Sequence, residues 1–164
     1  MSNEQAQTNE IPNGQGRGEP VTRRVHLTAS RTLAAPVSAV WAIVSGGAGV
    51  ERWFEWVART DLRDGAEGGL RIIHMKDGSR FDEHITLNDA RTLTYQYYAP
   101  RPPLPIHDVI GTKRLEPMAG GGVRLSWFVG FEPAPDAPVD IARQMLARYE
   151  NALQKIEEVA LAGA

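Results

Sequence analysis

The chain has no cysteine. Disulfides, thiolate nucleophiles and zinc–thiolate centres are therefore excluded. It also lacks a cationic excess: 18 Lys and Arg stand against 20 Asp and Glu, for a net charge of −2 and a pI of about 6.1. A nucleic-acid binder that neutralises phosphates with a basic face is not expected from that balance. No apolar run approaches the roughly 20 residues that span a bilayer, so no membrane span is expected. The N-terminus has no charged-then-apolar pattern of a secretory signal, and a cytoplasmic protein is the expectation. No Gly-x-Ser-x-Gly context for a nucleophile is present. The run Gly120-Gly121-Gly122 has no helix pattern after it, so it reads as a hairpin turn and not as a phosphate loop.

What is present fits one globular domain. The 164 residues are 42% hydrophobic and 23% charged, ordinary values for a single core. Residues 1–22 are almost all Ser, Asn, Glu, Gln, Gly and Pro. They cannot bury enough apolar surface to offset their ordering entropy, and a disordered tail is expected there. The domain is expected over 23–162. Val25, Leu27 and Ala29 alternate with polar residues, which predicts a half-buried strand. Pro36 fits the first turn of a helix carrying Val37, Val40, Trp41 and Val44, which Gly46-Gly47 stops. A second short helical piece runs from Val50 to Trp56. Six strands follow, over 57–63, 69–76, 80–87, 93–98, 107–116 and 123–131, separated by turn residues and therefore mostly antiparallel. A long helix from about Val139 to Leu161 carries Ile141, Met145, Tyr149, Ala152, Ile156 and Val159 as one apolar stripe. The fold class is α+β. A seven-stranded antiparallel sheet must cover its apolar face, and this helix is the one element large enough to do so.

The hairpin register locates candidate site residues. Read as a two-residue turn, Asp77-Gly78 pairs His74 with Phe81 and Ile72 with Glu83. The inner face then carries Leu70, Ile72, His74, Phe81, Ile85 and Leu87, with Ile73 and Met75 as exceptions on the other face. His74 and Glu83 break the apolar pattern. Placing Leu87 opposite Leu93 sets Glu83 opposite Tyr97 and Ile85 opposite Tyr95, so a carboxylate, an imidazole and a phenol cluster at ~5–8 Å separations. Glu83 and His74 are the candidate acid–base pair. Alternatively, Glu83 is structural and accepts hydrogen bonds from Tyr97 or a water, or pairs with an arginine. Trp41, Trp53, Phe54, Ile72, Phe81, Ile85, Tyr95, Tyr97, Trp127, Met145 and Tyr149 are candidate pocket residues. The same aromatics also suit a plain core. His26 and His84 are expected to point outward. His107 and Asp108 are adjacent on a strand, which sets them on opposite faces and not in one site. No metal-ligand spacing is present, and no metal or cofactor is expected.

The segment Ala35-Pro36-Val37-Ser38-Ala39-Val40-Trp41 looks like the helix after the first strand of the START-like, or SRPBCC, superfamily. Gly69-Leu70-Arg71 and Glu83-His84-Ile85-Thr86-Leu87-Asn88-Asp89 are similar to that family's central hairpin. Pro103 to Asp108 and Trp127 to Pro133 resemble its later loop and strand. The resemblance covers about residues 23–162. It implies the helix-grip fold, a curved seven-stranded sheet wrapped around the long C-terminal helix with two short helices after the first strand. Members include polyketide cyclase/dehydrase-type proteins, abscisic-acid receptors, the major birch pollen allergen and lipid-transfer domains. Many relatives carry Tyr where Val109 stands here.

The resemblance implies an internal cavity for a small hydrophobic or aromatic molecule, and a cyclase/dehydrase-type or lipid-binding role. Catalysis on this fold would be cofactor-free, with Glu83 and His74 moving protons and Tyr97 orienting an oxygen. The fold hosts unrelated functions, so two other expectations stand beside it. One is a carrier or sensor in which the loop Pro100–Pro105 closes over ligand. The other is a protein-interaction module with a filled core. Ligand identity and oligomeric state are not legible in the sequence.

Overall fold

The computed structural model describes residues 24–163; the expected N-terminal tail, 1–22, lies outside them. The strands are β1 (Val25–Leu33), β2 (Val57–Leu62), β3 (Leu70–Met75), β4 (Arg80–Asp89), β5 (Thr94–Ala99), β6 (Ile106–Pro117) and β7 (Val123–Pro133). The helices are α1 (Val37–Ser45) and α2 (Ile141–Ala162). The second short helix is a single tight turn, Val50–Arg52. All seven strands form one antiparallel sheet in the order β1-β7-β6-β5-β4-β3-β2. The sheet is a meander from β2 to β7 that β1 closes on the far side, so α1 and the tight turn bridge its two edges.

α2 has 22 residues, about 33 Å at 1.5 Å per residue, long enough to cross the sheet. Its buried stripe is Ile141, Met145, Tyr149, Ala152, Leu153, Ile156 and Ala160. The Gly163 N–H bonds back to the Val159 carbonyl and ends it. Leu153 and Ile156 are almost wholly removed from water, which stabilises the fold by about 1.5–3 kcal/mol each. In α1 the core-facing residues are Val40, Ile43 and Val44. Ile43 completes that stripe and leaves Trp41 on its flank, half-buried.

Two details of the central hairpin set the site. The turn between β3 and β4 has three residues, Lys76, Asp77 and Gly78. Met75 N–H bonds to the Ser79 carbonyl (2.8 Å), and Gly78 N–H to the Met75 carbonyl (3.1 Å). Gly78 takes φ +90°, a left-handed conformation that glycine adopts without strain. Asp77 Oδ1 accepts the Ser79 N–H and holds the loop. Arg71 therefore pairs with Glu83, Ile73 with Phe81 and His74 with Arg80. The expected register is off by one, and a one-residue slip exchanges the faces of β3. Arg71, Ile73 and Met75 are inside, while Leu70, Ile72 and His74 turn outward. Between β4 and β5 a bulge falls between Ile85 and Leu87, so Ile85 and not Glu83 lies opposite Tyr97. The faces of β4 and β5 nonetheless hold: Glu83, Ile85, Tyr95 and Tyr97 are buried.

Candidate functional site

Between the sheet and α2 lies a cavity of about 60 Å³. That is far below the roughly 300 Å³ at which drug-sized ligand sites begin. Its wall is apolar apart from Arg71, Glu83 and the phenols of Tyr97 and Tyr149. Among its lining residues, only Phe54, Phe81 and Leu104 are partly exposed, and they form its rim. Val109, which stands where many relatives carry Tyr, is part of the wall.

β5, β6 and β7 build the aromatic side. Tyr95, Lys113 and Trp127 are direct cross-strand neighbours, as are Tyr97, Gly111 and Val129 in the next row. The Tyr97 ring lies over Gly111, where a Cβ would overlap the ring; only glycine leaves it that space. Trp127 packs against Tyr149 of α2, with ring centroids 4.6 Å apart, and edge-on against Trp53 at 6.0 Å, Phe54 at 6.3 Å and Tyr97 at 6.4 Å. Such edge-to-face pairs contribute about 0.5–1.5 kcal/mol each beyond burial. The indole N–H groups of Trp53 and Trp127 and the Tyr95 hydroxyl are buried and make no hydrogen bond among the described residues.

β3 and β4 build the charged side. Arg71 Nε donates to Glu83 Oε2, and Arg71 Nη1 donates to the Gly47 carbonyl at 3.4 Å. Arg71 and Glu83 are 2% and 7% exposed, so this ion pair is desolvated and must be self-neutralising. Burial is the largest single influence and works against Arg71's charge, but the Glu83 carboxylate together with Tyr95 and Tyr97 outweighs it and favours the guanidinium's charged form. The Arg71 guanidinium also lies over the rings of Tyr97 (5.3 Å) and Tyr95 (5.4 Å).

Lys113 is the second buried cation-forming group, 1% exposed. Its Nζ sits 3.9 Å from the Trp127 ring centroid, 4.9 Å from Trp53, 5.0 Å from Tyr97 and 5.8 Å from Tyr95. Burial, and then the positive charge of Arg71, push the amine well below the usual lysine range, against a smaller pull from Glu83. Burial raises the phenols of Tyr97, Tyr149 and Tyr95, so all three stay neutral donors at physiological pH.

The structure brings together Glu83, Trp53, Phe54, Phe81, Tyr97, Trp127, Met145 and Tyr149 at the cavity. Ile85 and Tyr95 are buried in the core beside it and do not line it. Three expectations are corrected. Trp41 lies on the flank of α1 and away from the cavity, because Ile43 takes the inward position. Ile72 is half-buried on the outer face. His74 is on that face too, where Nε2 meets Asp61 Oδ2 at 2.8 Å and Arg59 lies alongside. The three-residue turn displaces both. It also brings in Arg71, which the two-residue reading sets outside. Lys113 was legible: Val109, Gly111, Lys113 and Leu115 fall in one phase of β6, and all four are buried.

His107 and Asp108 are a fourth correction. Asp108 has φ +51° and the β6–β7 pairing is irregular between His107 and Ile110. The two side chains therefore meet, His107 Nδ1 to Asp108 Oδ2 at 2.8 Å. With Glu132 they offer ligand atoms within 4.8 Å of one another, the one such cluster among the described residues. The cluster already has partners. Tyr98 donates to Asp108 Oδ1 at 2.6 Å, and Arg24 lies 3.8 Å from Glu132. Tyr98's bond and then that of His107 hold the Asp108 carboxyl below its usual range.

No helix among the described residues is long and apolar enough to cross a membrane. No curated protein sequence matches the chain. Among solved structures, an uncharacterised protein from Bacillus thuringiensis superposes with a TM-score of 0.73 at 18% identity, covering 84% of this chain and 99% of its own. The protein XoxI from Bacillus cereus gives 0.72 at 18%, covering 83% and 95%. Ara h 8.0201 gives 0.69 at 19%, covering 85% and 99%. These likenesses establish the helix-grip fold that the element order implies. The family model described as polyketide cyclase / dehydrase and lipid transport matches residues 24–160, which takes in the whole sheet and nearly all of α2. With the sheet, the gripping helix and the cavity between them in place, the chain belongs to that family, within the SRPBCC superfamily.

Proposed function

We propose that this protein binds a small hydrophobic or aromatic molecule in the cavity between the sheet and α2, and that it works in the cytoplasm. The observation that carries the reading is the wall itself. It is an aromatic surface into which one desolvated ion pair, Arg71–Glu83, projects its polar atoms. Apolar walls with a few convergent polar groups are the usual composition of small-molecule sites. The 60 Å³ volume requires the rim to open, and Phe54, Phe81 and Leu104 are the side chains that must move aside. Where turnover accompanies binding, Glu83 is the base and Arg71 and Tyr97 orient the substrate oxygen. His74 has no part in it. The family's description, which joins cyclase/dehydrase and lipid-transport members, supports this reading at the level of ligand class.

The test is native mass spectrometry of the purified protein, followed by thermal-shift screening with aromatic polyketides, flavonoids, sterols and fatty acids. A co-purified mass, or a shift of several degrees with one class, is expected. No mass and no shift with any class would overturn the reading. The small volume favours the interaction-module alternative, and so do Phe128 and Ile110, 45% and 41% exposed in one groove of the outer face. That alternative expects no small molecule to shift melting.

A further inference from the structure

Three groups that carry formal charge are buried against the inner face of the sheet: Arg71, Glu83 and Lys113. Two form cations and one forms an anion. Arg71 and Glu83 neutralise each other in direct contact. Lys113 has no carboxylate within 4.0 Å and no side-chain hydrogen bond among the described residues. Three of the four rings around its amine, those of Trp53, Tyr97 and Trp127, are themselves cavity wall. The amine therefore sits one ring's thickness behind the free space.

A second observation points the same way. Two donors on this wall, the indole N–H groups of Trp53 and Trp127, have no geometrically formed hydrogen bond among the described residues, and the Lys113 amine lies behind them. The one carboxylate present, Glu83, is already engaged by Arg71. What the wall lacks is an uncommitted anion, and one would also balance Lys113.

Resting on the binding function above, we propose that the ligand is a hydrophobic carboxylic acid, with an apolar body among the rings and a carboxylate facing Trp53, Trp127 and Lys113. The bound cavity is then neutral, with Arg71 balanced by Glu83 and Lys113 by the ligand. Without ligand the charged form of the amine is disfavoured, because an ammonium buried without an anion is costly. With the acid bound, the carboxylate stabilises the ammonium through a medium of low dielectric, and the ring faces add to that. Binding therefore draws a proton from solvent at any pH where the free amine is uncharged and the bound amine charged. The other titratable groups facing Lys113 do not supply it. Arg71 (β3) stays charged against Glu83 (β4), and Tyr95 and Tyr97 (β5) and Tyr149 (α2) stay neutral. The sign follows by linkage. Bound acid raises the amine's pKa from its depressed value, so proton uptake appears between the free and bound values and vanishes on either side.

The test is isothermal titration calorimetry of the full chain with 2-naphthoic acid and with its neutral analogue 2-naphthalenemethanol. Each titration is run in two buffers of different ionisation heat, at several values from about pH 7 to pH 10, the range below the free-lysine pKa. The acid is expected to bind at least about tenfold more tightly than the alcohol, equivalent to a 1.4 kcal/mol preference, and to take up to one proton per site. Lys113→Met is expected to bring the acid's affinity down to the alcohol's and to leave the alcohol's unchanged. Should that variant not fold, the proton count on the unsubstituted protein decides alone. Alcohol binding as tight as the acid's, or acid binding without proton uptake at any pH, overturns the carboxylate proposal and leaves hydrophobic binding standing. If neither compound binds, while the broader ligand panel also gives no shift, the binding function itself falls.

Discussion

Two polar clusters of similar make-up lie on opposite faces of the sheet and share strand β3. Inside, Arg71 grips Glu83, with Lys113 nearby; outside, Arg59 and His74 grip Asp61. Each has a guanidinium, a carboxylate and a second basic group. They differ in water. The inner pair's side chains are 3% and 9% exposed, against 61% for Arg59 and 40% for Asp61. Outside, charges are screened, and the His74 bond, then Arg59's charge, lower the Asp61 carboxyl below its usual range at small energetic consequence. Inside, every charge needs a partner or is disfavoured, and burial, then the charge of Arg71, hold the Lys113 amine well below the usual lysine range. The same side-chain chemistry is therefore decorative on one face and constraining on the other.

The comparison breaks most visibly at Arg71. Arg71→Met strands a buried carboxylate and is expected to cost about 3–5 kcal/mol, read as a lower urea midpoint. Adding Glu83→Leu removes the stranded charge and is expected to restore most of that loss. If the double variant is as unstable as the single, the ion pair is not the reason. Lys113 gives the next effect. Its native pKa is depressed, so between that value and about 10.4 the unfolded chain holds a proton that the folded chain does not. Stability then rises with pH across that window by about 1.4 kcal/mol per unit and is flat below it. Lys113→Met is expected to abolish the rise and to be the more stable protein at neutral pH. Urea denaturation at a series of pH values measures both. The smallest effect is at the outer cluster. His74→Ala is expected to leave the urea midpoint and ligand affinity unchanged, and a loss of binding there would return His74 to the site.

Much of the fold was legible because each element carries its own signal. The α2 stripe, the turn residues between strands and the helix after Pro36 are local features, and local features survive reading from sequence alone. The faces of β4 and β5 also came through, since alternation alone places Glu83, Tyr95 and Tyr97 inside. The face of β3 did not, because it depends on whether the turn at Asp77-Gly78 has two residues or three. Lys76 joins that turn in place of pairing, and one residue decides whether Arg71 or His74 reaches the cavity. The misfit was visible: Ile73 and Met75 stood on the supposed outer face, although both are buried. The meeting of His107 and Asp108 depends on a left-handed Asp108, which Asp adopts more readily than most residues but far less often than glycine, so the sequence signal is weak. Trp41 shows the limit of aromatic content as a guide, since a ring on a helix flank looks the same in sequence as one in a pocket.

The claim that the cavity is the ligand site can be tested at the four tryptophans. Trp53 and Trp127 line the cavity, with their indole N–H groups unbonded among the described residues. Trp41 sits on the flank of α1, and Trp56 is 41% exposed beneath Arg148. An 15N–1H correlation spectrum resolves the four indole N–H signals. Titration with the ligand class that shifts the melting temperature is expected to move the Trp53 and Trp127 signals and leave those of Trp41 and Trp56 in place. Movement confined to Trp41 or Trp56, or none at saturating ligand, would contradict an internal binding site.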